Sequence, residues 1–264
     1  FLGMIESPLL IKPYLSKMSH GEIFAVMTAG MATIAGTMLA LEAAVISSIM
    51  PDAIGHLISC SLITLPGVVY IAHLLVPDRS HVTSGDGAID QGAENLMDAI
   101  STGTTSGLQL LLNIIAMIIV IVALVYLVNA TLGIFPYVYG EAITLERILG
   151  VLMAPLTMMM GIPWNEAFIT GQLMGTKVVL TEFVAYVRFG QLPVEELTER
   201  TRIIMTYALC GFANFVSLGI MITGLVTMVP ERKVEIMDMG LKAIVAGTIA
   251  TCTTATLVGI IITL

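Results

Sequence analysis

The sequence contains five long stretches without a charged side chain. They cover residues 23–41, 53–77, 99–140, 203–230 and 243–264, with lengths of 19, 25, 42, 28 and 22 residues. A helix of about 20 predominantly apolar residues crosses the hydrocarbon core of a bilayer, and it satisfies its own backbone polar groups there. The pattern therefore predicts five candidate membrane spans. The most apolar part of the third stretch, residues 107–135, predicts a long, tilted helix.

Residues 149–185 follow a different pattern, because their apolar pieces are short. Helix-breaking and charged residues interrupt them at Pro155, Gly161, Pro163, Gly171, Gly175, Lys177 and Glu182. Two short apolar arms around a glycine-rich turn predict a re-entrant helical hairpin. Such a backbone is tolerated at membrane depth only inside protein or along a wet cavity, so the hairpin indicates a permeation or binding site.

Two parts of the chain share the same order of features, which predicts an internal repeat. An acidic residue precedes apolar residues and a tyrosine at 6–14 and again at 182–186, and a span with a small, polar centre follows each. Repeats with broken apolar segments are typical of secondary transporters, whose sites lie where the repeats meet. A long helix between the two units permits inverted topology.

Glu6 and Glu182 stand at matching points of this repeat, among apolar residues. Ionisable groups at membrane depth are costly and usually functional, although the same residues could instead end helices in headgroup water. For Thr33, Asn214 and Ser217, in the centres of the two spans, the alternative is hydrogen bonding between packed helices.

Composition limits the class of protein. Only 30 residues are charged, 11 basic and 19 acidic, and 57% of the chain is hydrophobic, whereas soluble domains carry about 25% charged residues. This argues against a soluble enzyme or a disordered regulator, and the net charge of −8 argues against a nucleic-acid partner. The cysteines Cys60, Cys210 and Cys252 lie within apolar runs and are predicted to be core residues.

The sequence resembles the C-terminal part of the concentrative nucleoside transporter family. The most specific blocks are Gly-x-x-x-Gly-x-Lys followed by Glu-Phe-Val-Ala-Tyr at 171–186, and Gly-Phe-Ala-Asn-Phe-x-Ser at 211–217; others lie at 3–15, 27–36, 107–129 and 230–232. The resemblance implies an all-α polytopic protein of the cell inner (plasma) membrane, a homotrimer in the lipid bilayer. A scaffold with the long tilted helix would support a transport domain of two inverted repeats with re-entrant hairpins and broken helices.

The resemblance also implies how the chain is divided. Residues 1–76 would form the end of hairpin one and two spans, 77–105 a polar connector and 106–135 the scaffold helix. Residues 136–264 would form an interfacial helix, hairpin two and two spans. Because the chain begins Phe-Leu-Gly-Met, we expect the other scaffold helices and the first arm of hairpin one to precede it.

Three residues match the family positions that hold the ribose hydroxyls of the nucleoside, namely Glu182, Asn214 and Ser217. A carboxylate accepts hydrogen bonds from vicinal hydroxyls, and an asparagine amide both donates and accepts. The residue before Glu182 departs from the family pattern, because Thr181 stands where an asparagine is usual.

Glu6 matches the acidic position of the first hairpin, near the nucleobase. Met4 and Ile5 precede it where the family usually has glutamine and threonine. Two polar groups that would read a base edge are thereby lost, which leaves the base preference open.

The resemblance further implies a cation site. Leu2 and Ile34, through their carbonyls, and Thr33, through its hydroxyl, match the family's sodium ligands, and oxygen ligands suit such a cation. The coupling ion is expected to be sodium or a proton, with no other cofactor.

We therefore predict a nucleoside:cation symporter that imports its substrate by alternating access. A channel and a carrier of another small polar solute remain alternatives, and a membrane-embedded enzyme is a weaker one. His56 and His73 lie 17 residues apart, too far to share a metal on one helix, and no metalloprotease, nucleophile-elbow or Walker motif occurs.

Overall fold

The computed structural model describes residues 2–78, 83, 95–138, 140 and 142–262. Regular structure in these ranges is helical, with two 3-10 turns at Val194–Glu196 and Pro230–Arg232. The α-helices in the described ranges are α1 (Glu6–Leu10), α2 (Lys12–Leu15), α3 (His20–Ala32), α4 (Gly36–Ile46), α5 (Ala53–Leu75), α6 (Leu96–Leu132), α7 (Leu145–Met159), α8 (Trp164–Val179), α9 (Glu182–Gln191), α10 (Glu199–Leu209), α11 (Phe215–Met228) and α12 (Lys233–Ile261).

Four helical segments among the described residues are long and apolar enough to cross a membrane. They are His20–Ile46, Ala53–Leu75, Ile115–Leu132 and Pro230–Ile261, and each coincides with one of the predicted spans. The remaining predicted span, 203–230, is occupied by α10 and α11, with a short break between them. The chain is an all-α polytopic membrane protein, as predicted.

Two of these segments are broken near their middle, at the small, polar centres of the predicted repeat. The helix α3 ends at Ala32, the next residue, Thr33, has an extended backbone (φ −107°, ψ 172°), and α4 begins at Gly36. Between α10 and α11, Gly211 has φ +100°. A Cβ atom on Gly211 would lie 2.6 Å from the carbonyl oxygen of Ala32, so the two breaks contact each other and leave no room there for a side chain.

The helices α7 and α8 pack as a helical hairpin, and with the start of α9, where Glu182 lies, they occupy the stretch 149–185 that was predicted to be re-entrant. Helices α7 and α8 run antiparallel, because Gly175 lies against Glu146 while Gly171 lies against Ala154, about two turns further along α7. Near the turn, the Thr157 hydroxyl donates a hydrogen bond to the carbonyl of Ala167 (3.2 Å). That this hairpin is re-entrant in the membrane stays a prediction.

The predicted interruptions within the hairpin are only partly correct. The chain turns at Gly161, which has φ +92°, but Pro155 lies inside α7, and Gly171 and Gly175 lie inside α8. The two glycines permit close packing instead, since a Cβ on Gly171 would lie 2.5 Å from the carbonyl oxygen of Gly150.

The long helix α6 begins at Leu96 rather than at residue 107, and ends at Leu132. The Asn95 side chain caps it by accepting a hydrogen bond from the backbone N–H of Asp98 (2.9 Å). The first turns of the helix are polar, so the hydropathy pattern alone does not include them in the apolar segment. Near its other end, Asn129 donates to Glu146 (3.0 Å) and accepts from the backbone of Leu145 (2.8 Å). Most of its apolar side chains are exposed.

The helix α12 lies at the centre of the core, packed against α3, α5 and α10. Its small residues allow close approach: a Cβ on Gly247 would meet the Cβ atoms of Met31 and Ala213, next to the two helix breaks. The cysteines are buried and free, as predicted; they are Cys60, Cys210 and Cys252. The packing thus fixes both breaks against one continuous helix.

The division of the chain into transport units, connector and scaffold stays a prediction. Most of the predicted connector, 79–82 and 84–94, lies outside the described residues, and Asp78 at its start accepts a hydrogen bond from the backbone N–H of Gly21 (2.8 Å). The interfacial helix expected at the start of the last unit stays a prediction; the described residues directly between α6 and α7 contain no helix. Pro136 cannot donate a helical hydrogen bond, and Gly140 has φ +82°.

Candidate binding site

A buried polar group lies where the N-termini of α9 and α11 meet. The Asn214 amide donates a hydrogen bond to a carboxylate oxygen of Glu182 (2.8 Å), and its oxygen accepts one from the backbone N–H of Ser217 (2.7 Å). Asn214 thereby caps α11 directly after the break, while Thr181 caps α9 by accepting from Val184 (3.3 Å). Glu182, Asn214 and Ser217 are all at most 4% exposed.

The position of Glu182 suits a carboxylate. It is the first residue of α9, at the N-terminus of that helix. Helix N-termini carry unpaired N–H groups and a partial positive charge, so they stabilise an anion. The group therefore brings a carboxylate, an amide and a hydroxyl together at one buried junction.

The carbonyl end of α10, on the other side of the break, is held by side chains from other helices. The Lys177 ammonium donates to the carbonyls of Ala208 (2.8 Å) and Cys210 (3.2 Å) and to the hydroxyl of Thr251 (3.3 Å). The last carbonyls of a helix lack partners within it, and a cation suits that end. Lys177 is fully buried. The sequence pattern places it in the 171–186 block and as an interruption of an apolar arm, but assigns it no role. A charged residue at membrane depth is costly and usually functional, so its position within an apolar arm could have pointed to such a role.

Two more donors complete this arrangement. The Tyr186 hydroxyl donates to the carbonyl of Thr206 (2.6 Å), and the Cys60 thiol donates to the carbonyl of Tyr207 (3.6 Å). Helices α5, α8 and α9 together fix the end of α10, and through it the position of Asn214.

The predicted binding residues of the first unit lie apart from the group around Glu182. Glu6, at the start of α1, is exposed, and no described hydrogen bond joins it to the group around Glu182. The short helix turns Ile5 and Pro8 inward and Glu6 outward, and the role of Glu6 near a nucleobase stays a prediction. Ile5 is 4% exposed and packs against Gly224 of α11, while Met4 is half-buried against Gly30.

The three residues predicted to bind a cation line one cavity with Met4. Its volume is about 390 Å³, and Leu2, Thr33 and Ile34 are among its lining residues. The Thr33 hydroxyl donates to the carbonyl of Ala29 (2.8 Å), which leaves its lone pairs to accept or coordinate. The break after α3 also leaves backbone carbonyls without helical partners, and a cation site at this cavity stays a prediction.

The structure has broken apolar helices that meet at their breaks, and polar groups and a helix N-terminus lie at the junction. These features define a class of membrane protein. This is the architecture of secondary transporters, in which half-helix termini and unwound backbone form the substrate and ion sites. A family model described as Na+ dependent nucleoside transporter C-terminus matches residues 56–259. The chain belongs to this family, the concentrative nucleoside transporters, and represents its C-terminal part.

Similar proteins extend over nearly the whole chain. The nucleoside permease NupC of Helicobacter pylori is 39% identical over 99% of this chain and 63% of its own length. An uncharacterized transporter of Bacillus subtilis, YutK, is 38% identical over 99% of this chain and 65% of its own length. The sodium/nucleoside cotransporter 2 of Rattus norvegicus is 35% identical, over 99% of this chain and 42% of its own. The chain therefore spans less than two thirds of the length of these relatives.

Solved structures agree with the fold. CNTnw in an inward-facing substrate-bound state is 36% identical with a TM-score of 0.78, over 98% of this chain and 61% of that one. A CNTnw variant in an intermediate 3 state is 35% identical with a TM-score of 0.84, over 99% of this chain and 63% of that one.

The relatives are named as transporters, a permease and cotransporters, which agrees with the prediction that the chain is not an enzyme. His56, one of the residues weighed for that alternative, contacts the Tyr207 hydroxyl through Nδ1 (3.0 Å), with the two rings edge to face. It packs α5 against α10.

Proposed function

We propose that the protein containing this chain is a secondary active transporter that imports nucleosides, with sodium or protons as the coupling ion. The observation that carries this proposal is the buried hydrogen bond between Glu182 and Asn214 at the junction of two helix N-termini. The names of the relatives, a nucleoside permease and a sodium/nucleoside cotransporter, support the same substrate class.

In this proposal the ribose of the nucleoside binds at the polar group. The Glu182 carboxylate accepts hydrogen bonds from the two ribose hydroxyls, and the Asn214 amide and Ser217 hydroxyl complete the contacts. Glu6, Met4 and the neighbouring Ile5 belong to the first unit and would contact the base from that side once the transport domain closes around the substrate.

A cation would bind at the first helix break, held by the Thr33 hydroxyl and by the carbonyls of Leu2 and Ile34. The positive charge of a bound sodium ion would hold the Thr33 hydroxyl and the two carbonyl oxygens in one fixed arrangement around it. Since a ligand shifts a conformational equilibrium only by its differential affinity, ion and nucleoside together would favour the state in which the site is closed to both sides. The re-entrant hairpins and a homotrimeric scaffold belong to the same proposal.

The test is uptake of radiolabelled uridine by transport-deficient cells that express the full-length protein. We expect saturable uptake, and a loss of about tenfold or more for Glu182→Gln, because hydrogen bonds to a charged group contribute about 1.5–3 kcal/mol. Glu195→Gln is the matched control, since Glu195 is exposed.

Absence of uptake by the unmodified protein would contradict the proposal, and normal uptake by Glu182→Gln would contradict the assigned role. Counterflow exchange of labelled for unlabelled uridine identifies a carrier. Unitary currents without exchange would identify a channel.

A further inference from the structure

One acidic residue of the buried core has no role in the site described above. Glu42 lies in α4, is 0% exposed, and neither of its carboxylate oxygens has a hydrogen-bond partner among the described residues. A buried carboxylate without a donor or counter-ion is among the most costly arrangements in a protein, whereas its protonated form carries no charge.

The titratable groups that face Glu42 come from each neighbouring part of the core. Gly190 of α9 packs against the backbone of Val45, one turn from Glu42, and α4 also packs on α5. Groups from these and adjoining elements interact electrostatically with the Glu42 carboxylate: Glu182 and Tyr186 on α9, Lys177 on α8, Cys60 on α5 and Cys210 at the end of α10.

The charges of this group do not balance unless a proton is present. Lys177 supplies one positive charge, and Glu42 and Glu182 would supply two negative charges. Two carboxylates that interact in a dry site share their protons as a pair. The surroundings decide which of the two is charged: Glu182 accepts a hydrogen bond from Asn214 and lies at the N-terminus of α9, while Glu42 accepts from none of the described residues.

We propose that Glu42 is a proton-binding site of the transport cycle, which takes up one proton with each nucleoside bound at Glu182. The inference rests on the proposed function, and it makes the proton a coupling ion at a place separate from the cavity around Thr33. On one side of the membrane a proton from water joins a carboxylate oxygen to give the carboxylic acid. On the other side the acid returns the proton to water, so one positive charge crosses with each uncharged nucleoside.

The coupling follows from the position of Glu42. With Glu42 charged, its repulsion of Glu182 and its own burial oppose the packed arrangement around Glu42 seen here. With Glu42 protonated, the single negative charge of Glu182 is matched by Lys177 and remains free to accept the ribose hydroxyls. Substrate binding and proton binding therefore favour the same state, as reciprocal linkage requires.

The experiment uses the full-length protein in liposomes that contain a pH-sensitive dye, with no sodium on either side. External uridine is added, and internal acidification and entry of radiolabelled uridine are measured in parallel. We expect about one proton per uridine, since a carboxylate binds one proton. For Glu42→Gln we expect the ratio of protons to uridine to fall by about tenfold or more. Asp52→Asn, at an exposed acid before α5, should keep the ratio of the unmodified protein.

The two measurements separate the two proposals. If no uridine enters even after sodium is added outside, the proposed function is wrong; if uridine enters without acidification, with or without sodium, or if Glu42→Gln keeps the full ratio, the proton site is wrong. We expect the same fall in the ratio of protons to uridine for Glu42→Met, because methionine is apolar, of similar length, and suited to a dry site. A full ratio in either folded variant would overturn the inference.

Discussion

Lys177 and Glu182 lie five residues apart in the sequence, yet they hold opposite sides of the same helix break. Lys177 binds the carbonyl end of α10, and Glu182 binds the cap of α11. The sequence predicted Glu182, Asn214 and Ser217 as one site, and the structure brings them together. Their role in substrate binding stays a prediction.

Other residues at this scale could not be predicted from the sequence. Glu42 ends an uncharged run, where acidic residues usually reach water, and only the packing of α4 shows that it is buried. The exposure of Glu6 likewise depends on which face of a five-residue helix turns inward, a choice that so short a pattern does not fix.

Replacing Lys177 with methionine should destabilise the fold. The change leaves the carbonyls of Ala208 and Cys210 without their donor and removes the charge that matches Glu182. Each unsatisfied buried group costs about 1–3 kcal/mol, so we expect a clear fall in the thermal unfolding midpoint of the detergent-purified protein. Lys242→Met, at an exposed position of α12, should leave the midpoint within about one degree of the original. Equal midpoints for the two variants would contradict the role given to Lys177.

Thr33→Val tests the proposed cation site. Valine keeps the shape of threonine but removes the hydroxyl oxygen, and losing about 1.4 kcal/mol of binding corresponds to tenfold in affinity. We expect the sodium concentration for half-maximal uridine uptake to rise by about that factor. Thr37→Val, on the exposed side of α4, serves as the control. An unchanged sodium dependence in Thr33→Val would argue against a ligand at this position.

At the scale of elements, the spans follow from the sequence because hydropathy is a local property. Charge-free runs located four segments of sufficient length, and the small, polar centres fell at the breaks of α3–α4 and α10–α11. The role of single glycines was harder to predict. Gly171 and Gly175 suggested turns, but they permit contact with α7, and that distinction depends on a neighbour rather than on the glycines themselves.

The contact between the two breaks leads to a prediction for Gly211. Alanine at this position would have to adopt positive φ and would place its Cβ 2.6 Å from the Ala32 carbonyl oxygen. We expect a loss of about 1–2 kcal/mol from the backbone alone, with a further cost from the overlap, and a lower thermal midpoint. Gly67→Ala is the matched control, since Gly67 lies in α5 with open space around its Cβ.

For Gly67→Ala we expect stability to be equal or higher by about 0.5–1 kcal/mol, because alanine favours a helix interior more than glycine does. A Gly211→Ala variant that unfolds at the same temperature as Gly67→Ala would show that the two breaks do not need this close approach.

For the whole molecule, the described residues form a compact group of broken helices with one long apolar helix at its side. The exposed side chains of α6 require lipid or other protein, which fits the predicted scaffold role and the predicted trimer. Composition was enough to predict a membrane protein. The packing of α3, α5 and α10 around α12 depends on long-range contacts, which the sequence indicated only through the order of its features.

The central claim is that Glu182 binds the ribose hydroxyls of a transported nucleoside. The most direct test compares uptake of uridine and 3′-deoxyuridine by the unmodified protein and by Glu182→Gln. In the unmodified protein, loss of the 3′-hydroxyl should reduce uptake by about tenfold or more. In Glu182→Gln the two nucleosides should be taken up at nearly equal, low rates, because residues in contact do not act additively. If the full preference for uridine persists in Glu182→Gln, the carboxylate does not bind that hydroxyl and the account of the site is wrong.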